Sequence, residues 1–213
     1  MIAVIAGSTG LTGALLLSKL LKDQSITQVI APTRRPLDLT HPKLKNVIVS
    51  DFADLMNHAD ELKGELYFCC LGTTIKIAGT QENFRKVDFD AVVNFGKLAE
   101  YHKSQSLVVI SAAGANPHSS IFYNKVKGEA EEALLKLSLN RLILMRPGLL
   151  MGERKASRPL EKATIKITQV LSSILPERIE KSFATPIEVL TERMLKEGKN
   201  TANKIKIINA VDI

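Results

Sequence analysis

Residues 2–13 read Ile2-Ala3-Val4-Ile5-Ala6-Gly7-Ser8-Thr9-Gly10-Leu11-Thr12-Gly13, and this stretch decides the fold. Ile2 to Ala6 is a short continuous apolar run, the mark of a strand buried on both faces. Three glycines follow in the order G-x-x-G-x-x-G. Thr12 to Lys22 then carries Leu15, Leu16, Leu20 and Leu21 at helical spacing. A glycine-rich turn between a strand and a helix is the setting of a dinucleotide fingerprint. Glycine permits the tight turn and lets a pyrophosphate approach the backbone, and the unpaired N–H groups and dipole of the helix start favour its charge. Gly7, Ser8, Thr9, Gly10, Leu11, Thr12 and Gly13 are therefore candidate cofactor-binding residues. Glycines also serve simple turns, so this reading depends on the strand–helix context.

The same alternation continues outward. Val29 to Pro32, Val47 to Val49, Leu66 to Leu71, Leu107 to Ile110 and Leu142 to Met145 read as further strands. Between them, Phe84 to His102 reads as a long helix with Val87, Val92, Val93, Phe95 and Leu98 on its apolar side. Tyr123 to Leu137 reads as a helix rich in Glu, Lys and Ala. Strands separated by helices force parallel, right-handed crossovers. The expected class is α/β, a doubly wound parallel Rossmann sheet flanked by helices.

After Pro147 the rhythm changes. Leu160 to Leu175 reads as an amphipathic helix, with Ile165, Ile167, Val170 and Leu171 apolar. Pro186 to Glu197 reads as a helix with proline in its first turn, and Ile205 to Ile208 as a late strand. Residues 147–213 are too few for a separate core, so one domain over residues 1–213 is expected, the last part forming a small cap on the substrate side. At 213 residues, one domain buries roughly 70% of the unfolded chain's surface.

Composition sets outer bounds. Hydrophobic residues make up 45% and charged residues 24%, which suits a globular chain. The net charge of +7 comes from scattered lysines and arginines. With aromatics at 5% and no Trp, a base-stacking platform is poorly supplied, and no nucleic-acid partner is expected. Cys69 and Cys70 are adjacent and His41, His58, His102 and His118 are dispersed, so no metal site is expected. The cysteines read as small residues at a buried strand end and suit a reducing compartment. No apolar run approaches the roughly 20 residues of a membrane span. The N-terminal stretch reads as a strand rather than a signal peptide, and a cytoplasmic location is expected. The helices at 84–102 and 123–137 leave both a monomer and a homodimer open.

Three more sites carry chemistry. Thr33-Arg34-Arg35-Pro36 ends the second strand, where an NAD site usually has an acidic residue. A guanidinium pairs with a 2′-phosphate instead, so Arg34 and Arg35 point to NADP(H) over NAD(H), although Asp38 stands close by. Asp51-Phe52 follows the third strand, where an Asp can accept from an adenine amino group or, equally, cap a helix. Tyr123 and Lys127, four apart, share a helix face, and Ser111 follows the fifth strand. A nearby ammonium favours phenolate, so Lys127 is expected to lower the Tyr123 pKa and to hold ribose, while Ser111 orients a carbonyl. Arg154, Lys155 and Arg158 either bind an acidic substrate group or form a solvated loop.

These residues resemble the short-chain dehydrogenase/reductase superfamily, in its extended or atypical branch. A closer resemblance is to the oxidoreductase-like family of the HIV Tat-interactive protein. It is carried by Cys69-Cys70-Leu71-Gly72-Thr73-Thr74, Lys76, Ala78-Gly79, Val87-Asp88, Ser111-Ala112-Ala113-Gly114-Ala115, Tyr123 and Val126-Lys127-Gly128-Glu129. Arg146-Pro147-Gly148, Ser157-Arg158-Pro159 and Phe183-Ala184-Thr185-Pro186-Ile187 continue it. The resemblance implies a Rossmann fold, NADPH binding and a Ser–Tyr–Lys constellation. It also implies that Leu71, Gly72 and Thr73 border the cofactor and that Pro147 and Gly148 border the nicotinamide. Ala112 stands where a second serine is common, and Ile75 where a basic residue is. The expected function is reduction of a small-molecule carbonyl with NADP(H). The alternative is an NADP(H)-sensing regulatory protein that binds a partner.

Overall fold

The computed structural model describes residues 1–151, 184–202 and 204–213. In chain order these form β1 (Ile2–Ala6), α1 (Leu11–Lys22), β2 (Gln28–Thr33), β3 (Leu44–Ile48), a 3₁₀ segment (Phe52–Leu62), β4 (Leu66–Cys69), α2 (Ile75–Ala78) and α3 (Gln81–Arg85). A π turn (Lys86–Asp90) runs into α4 (Ala91–Tyr101), followed by β5 (Ser106–Ile110), α5 (Phe122–Leu135), β6 (Leu142–Arg146) and β7 (Leu149–Met151). The last elements are β8 (Ala184–Pro186), α6 (Ile187–Lys199), β9 (Ile205–Asn209) and a short 3₁₀ turn (Ala210–Asp212). The helix expected at residues 160–175 lies outside the described residues, as do Arg154, Lys155 and Arg158.

Among the described residues, seven strands form one sheet in the order β3-β2-β1-β4-β5-β6-β9, every neighbouring pair parallel. The α/β Rossmann class read from the sequence is the class observed. The continuous apolar runs are explained by burial on both faces. Val4, Ala6, Tyr67, Cys69, Leu107, Val109, Leu142 and Leu144 face the 3₁₀ segment, α4 and α5. The alternating residues Ala3, Ile5, Leu66, Phe68, Val108, Ile143 and Met145 face α1 and α6. Each strand thus supplies two cores, and a polar residue on either face needs a buried partner, as Ser106 finds in the Gly198 carbonyl. The late strand is the seventh member of this sheet, and β7 and β8 make a separate parallel pair.

Several boundaries differ from the sequence reading, and two of the differences have a physical cause. The third strand is Leu44–Ile48, not Val47–Val49. It is an edge strand, only partly covered, so it tolerates Lys45 and Asn46, which hide it from a hydrophobicity pattern. The long helix begins at Gln81 and widens into the π turn before α4. That turn buries Asp88, while Val87 is only half-buried.

Charge ties the C-terminal helix to the first. Lys199 Nζ lies 2.7 Å from Asp23 Oδ2, and Lys19 Nζ lies 2.8 Å from Glu192. Burial pushes the Asp23 carboxyl up, but its bonds from Lys199 and Ser25 outweigh that and hold it at about 2. A depressed native pKa stabilises above the unfolded value and is lost as pH falls through the native one. Asp23→Asn is therefore expected to cost about 1–2 kcal/mol near neutral pH. Urea titrations of the two proteins should converge as pH is lowered from 4 towards 2.

Candidate active site

A doubly wound sheet opens a crevice at the carboxyl ends of its strands, where successive crossovers leave in opposite directions. Here that point falls between β1 and β4. Gly7, just after β1, has φ +81°, and a Cβ there would meet the Cys70 carbonyl oxygen at 2.5 Å. A Cβ on Gly13 would run into the Gly7 carbonyl. Gly10 N–H donates to Gly7 O at 3.0 Å and Ala14 N–H to Gly10 O at 2.8 Å. Gly10 caps α1 without a side-chain hydrogen bond, and the first turn holds no acidic residue. The opening amides of α1 thus face the crevice with no carboxylate of the helix's own first turn to compete for them. Ser8 is 2% exposed, and its hydroxyl has no hydrogen-bond partner among the described residues. Thr12 is buried and Thr9 is exposed.

Arg34 and Arg35 follow β2 and are exposed. A polar clasp shapes their loop. Asn46 Nδ2 donates to Ala31 O and Thr33 Oγ1, both at 2.8 Å, and Asn46 Oδ1 accepts from Leu37 N–H at 2.8 Å. Thr33 Oγ1 donates to Arg35 O at 2.6 Å. The Asp51 side chain caps the 3₁₀ segment, accepting from Ala53 N–H at its start. Phe52 packs into the core below the sheet.

The loops after β4, β5 and β6 gather the rest. Ser111 N–H donates to Met145 O and Ala113 N–H to Pro147 O, which extends the strand pairing and sets Pro147 beside the serine loop. Gly148 N–H is fixed by Thr185 Oγ1 at 3.0 Å. The Ser111 hydroxyl is buried and has no hydrogen-bond partner among the described residues. It lines one small cavity with Asp88, Lys127 and Glu131. Loop and helix meet where Gly128 lies under the Asn116–Pro117 backbone, close enough that a Cβ would fall 2.6 Å from Asn116 Cα. Asn116 N–H also donates to Asn124 O at 3.0 Å. These contacts set α5, and with it Tyr123 and Lys127, against the Ser111 loop.

Lys127 is 5% exposed and its Nζ lies 2.7 Å from Asp88 Oδ1. Burial alone would lower its pKa, but the Asp88 carboxylate outweighs this and raises it. Tyr123 is 38% exposed, and its ring tilts against Phe84 with centroids 5.8 Å apart. Lys127 does lower its pKa as expected, but the net shift is upward. Partial burial, aided by Asp88, lifts the phenol further than Lys127 lowers it. Burial pushes Cys69 up to about 12 and Cys70 well above its usual value, so both stay thiols.

Sequence reasoning missed the role of Asp88. One signal existed: Asp88, Val92, Phe95 and Ala99 follow i, i+4, i+7 and i+11, a buried stripe. A carboxylate in such a stripe needs a cation. Asn46 was missed because its work is done with backbone atoms of a neighbouring strand.

Known proteins resemble this chain in sequence and in fold. The chain is 34% identical to protein HTATIP2 of Rattus norvegicus over 194 residues, 90% of this chain and 78% of that protein. It is 34% identical to the mitochondrial protein FMP52 of Candida albicans over 161 residues, 73% of this chain and 70% of that one. This chain belongs to the HTATIP2/FMP52 family. No protein-family model matches it. Among solved structures, MoeE5 in complex with UDP-glucuronic acid and NAD superposes with TM-score 0.76 at 17% identity, covering 99% of this chain and 76% of that one. The Helicobacter pylori ADP-L-glycero-D-manno-heptose-6-epimerase gives 0.73 at 18%, covering 98% and 76%. These likenesses show the fold. The expected cytoplasmic location does not stand, because several FMP52 relatives in the family are mitochondrial by name. The cysteine pattern carries no cellular address. Among the described residues no helix is long and apolar enough to cross a membrane.

Gly128→Ala should push the Asn116–Pro117 backbone off α5 and lower stability by about 1–3 kcal/mol. Chemical denaturation of the two proteins measures the difference.

Proposed function

We propose that this chain binds NADP(H) in the crevice between β1 and β4 and reduces a carbonyl of a small molecule. The observation that carries this reading is the buried Ser111 hydroxyl, left without a partner among the described residues and lining one cavity with Lys127. The cofactor fits the residues present. The amides of α1 and the Ser8 hydroxyl suit its pyrophosphate, and the close backbone at Gly7 and Gly13 leaves room for it. Arg34 and Arg35 supply guanidinium groups for a 2′-phosphate. On this reading Leu71, Gly72 and Thr73 border the cofactor, Pro147 and Gly148 border its nicotinamide, and Asp51 lies towards its adenine. MoeE5, a fold relative, is known in complex with NAD. When bound, the dinucleotide supplies the hydride.

The chain's own residues do the rest. Ser111 donates to the carbonyl oxygen and fixes its position. Tyr123 gives that oxygen its proton. Lys127 holds ribose and stabilises the phenolate left behind. The FMP52 relatives, mitochondrial by name, support a mitochondrial setting for it.

A second reading, an NADP(H)-sensing protein with little turnover, is favoured by one feature: Asp88 takes the Lys127 ammonium, and the phenol is held up. Turnover on a panel of aldehydes and ketones separates the two. Tyr123→Phe should lower any such rate by about 10²–10⁴, and an unchanged rate would remove the phenol from the chemistry.

Cofactor choice is tested by titration. Arg34→Ala/Arg35→Ala should weaken NADPH about tenfold or more, the worth of a charge-assisted contact, while NADH binding stays as it was. Equal affinity of the wild type for the two cofactors would overturn the assignment of the arginines.

A further inference from the structure

Lys127 and Asp88 are both nearly sealed from water, at 5% and 1% exposure. The Asp88 carboxylate has two partners on different elements. Oδ1 lies 2.7 Å from Lys127 Nζ on α5. Oδ2 accepts from the Thr73 backbone N–H at 2.8 Å, in the loop after β4. Gly72 sits over both charges: a Cβ there would lie 3.5 Å from Asp88 Oδ1 and 3.7 Å from Lys127 Nζ. The π turn puts Asp88 in this place, and such turns occur often at functional sites. A buried ion pair is a weak source of stability, since two apolar side chains of similar volume often do as well. Its use here calls for another account.

We propose that Asp88 is the positioning residue of this site: it holds the Lys127 ammonium against the Leu71–Thr73 loop and, as a fixed negative charge, sets the pH at which Tyr123 exchanges its proton. This rests on the reading of Ser111, Tyr123 and Lys127 as a proton-transfer site.

The surrounding charges leave Asp88 in control. Among the described residues, the charges that act on the Tyr123 phenol are Lys127 and Asp88. Glu131, in the same cavity, is neutralised by Arg146 of β6, with Nε to Oε1 at 3.0 Å. Arg85 of α3 is paired with Glu129 of α5. Cys69 of β4 stays a neutral thiol. Lys127 favours phenolate, and Asp88 disfavours it by its own charge.

The test is a phenolate titration of the full chain by ultraviolet difference spectroscopy. Tyr123→Phe serves as the blank, because the chain has only three tyrosines. Circular dichroism confirms the fold at each pH. Asp88→Asn is expected to make Tyr123 ionise about one pH unit lower, a tenfold change in proton affinity. Asp88→Glu should restore the wild-type curve. Lys127→Met should move it upward, and Lys127→Met/Asp88→Asn should bring it back down. A folded Asp88→Asn protein with an unchanged Tyr123 curve would overturn the proposal, leaving Asp88 a structural residue. Where Asp88→Asn alone does not fold, Lys127→Met is compared with the double variant, and identical curves overturn the proposal equally. NADPH titration runs beside these. A wild type that binds no NADPH would sink the reductase reading while the Tyr123 curves still decide the role of Asp88.

Discussion

The carbonyl oxygen of Cys70 stands where a side chain on Gly7 would begin. That approach is possible only between bare backbones, and it joins the first strand's exit to the fourth's at the point where the sheet's winding reverses. Cys70 N–H donates to Ala6 O beside it. From this contact α1 departs with its amides open, and the Leu71–Thr73 loop departs towards Asp88. A Cβ at either Gly7 or Gly13 would part the two exits, and the helix start and the loop would no longer share one crevice.

Two kinds of buried charge then divide the molecule. At the amino-terminal edge of the sheet, Glu197 is held by Arg141, Lys206 and Arg193 at 2.9, 2.7 and 3.2 Å. Burial pushes that carboxyl up, the three cations outweigh it, and the net shift is down. The cluster secures α6 and β9 to β6. At the carboxyl edge Asp88 has one cation and one amide, and burial wins, so its shift is upward. A carboxylate so lightly compensated is costly as structure and well suited to trimming a neighbour's proton affinity.

Much of this was legible beforehand. The sheet strands beneath the site could be read because burial on both faces demands unbroken apolar runs, as in Ile2–Ala6 and Leu142–Met145. The glycine turn could be read because its spacing sits between a strand and a helix. Lys45 and Asn46 obscured the edge strand, since an open edge imposes no such demand. The segment Phe52–Leu62 was read only through Asp51, with its cap and its adenine contact both open; the structure settled the cap.

The amino-acid order by itself determined the sheet, the turn, the pair of arginines after β2 and the four-residue spacing of Tyr123 and Lys127, because each depends on local geometry or on a periodic pattern. Only the tertiary structure decided that Lys127 faces Asp88 across 39 residues, that Ser111 shares their cavity, and that the Tyr123 phenol is raised rather than lowered. Proton affinities depend on the sum of burial and charge around a group, and that sum exists only once distant segments are brought to within a few ångströms of one another.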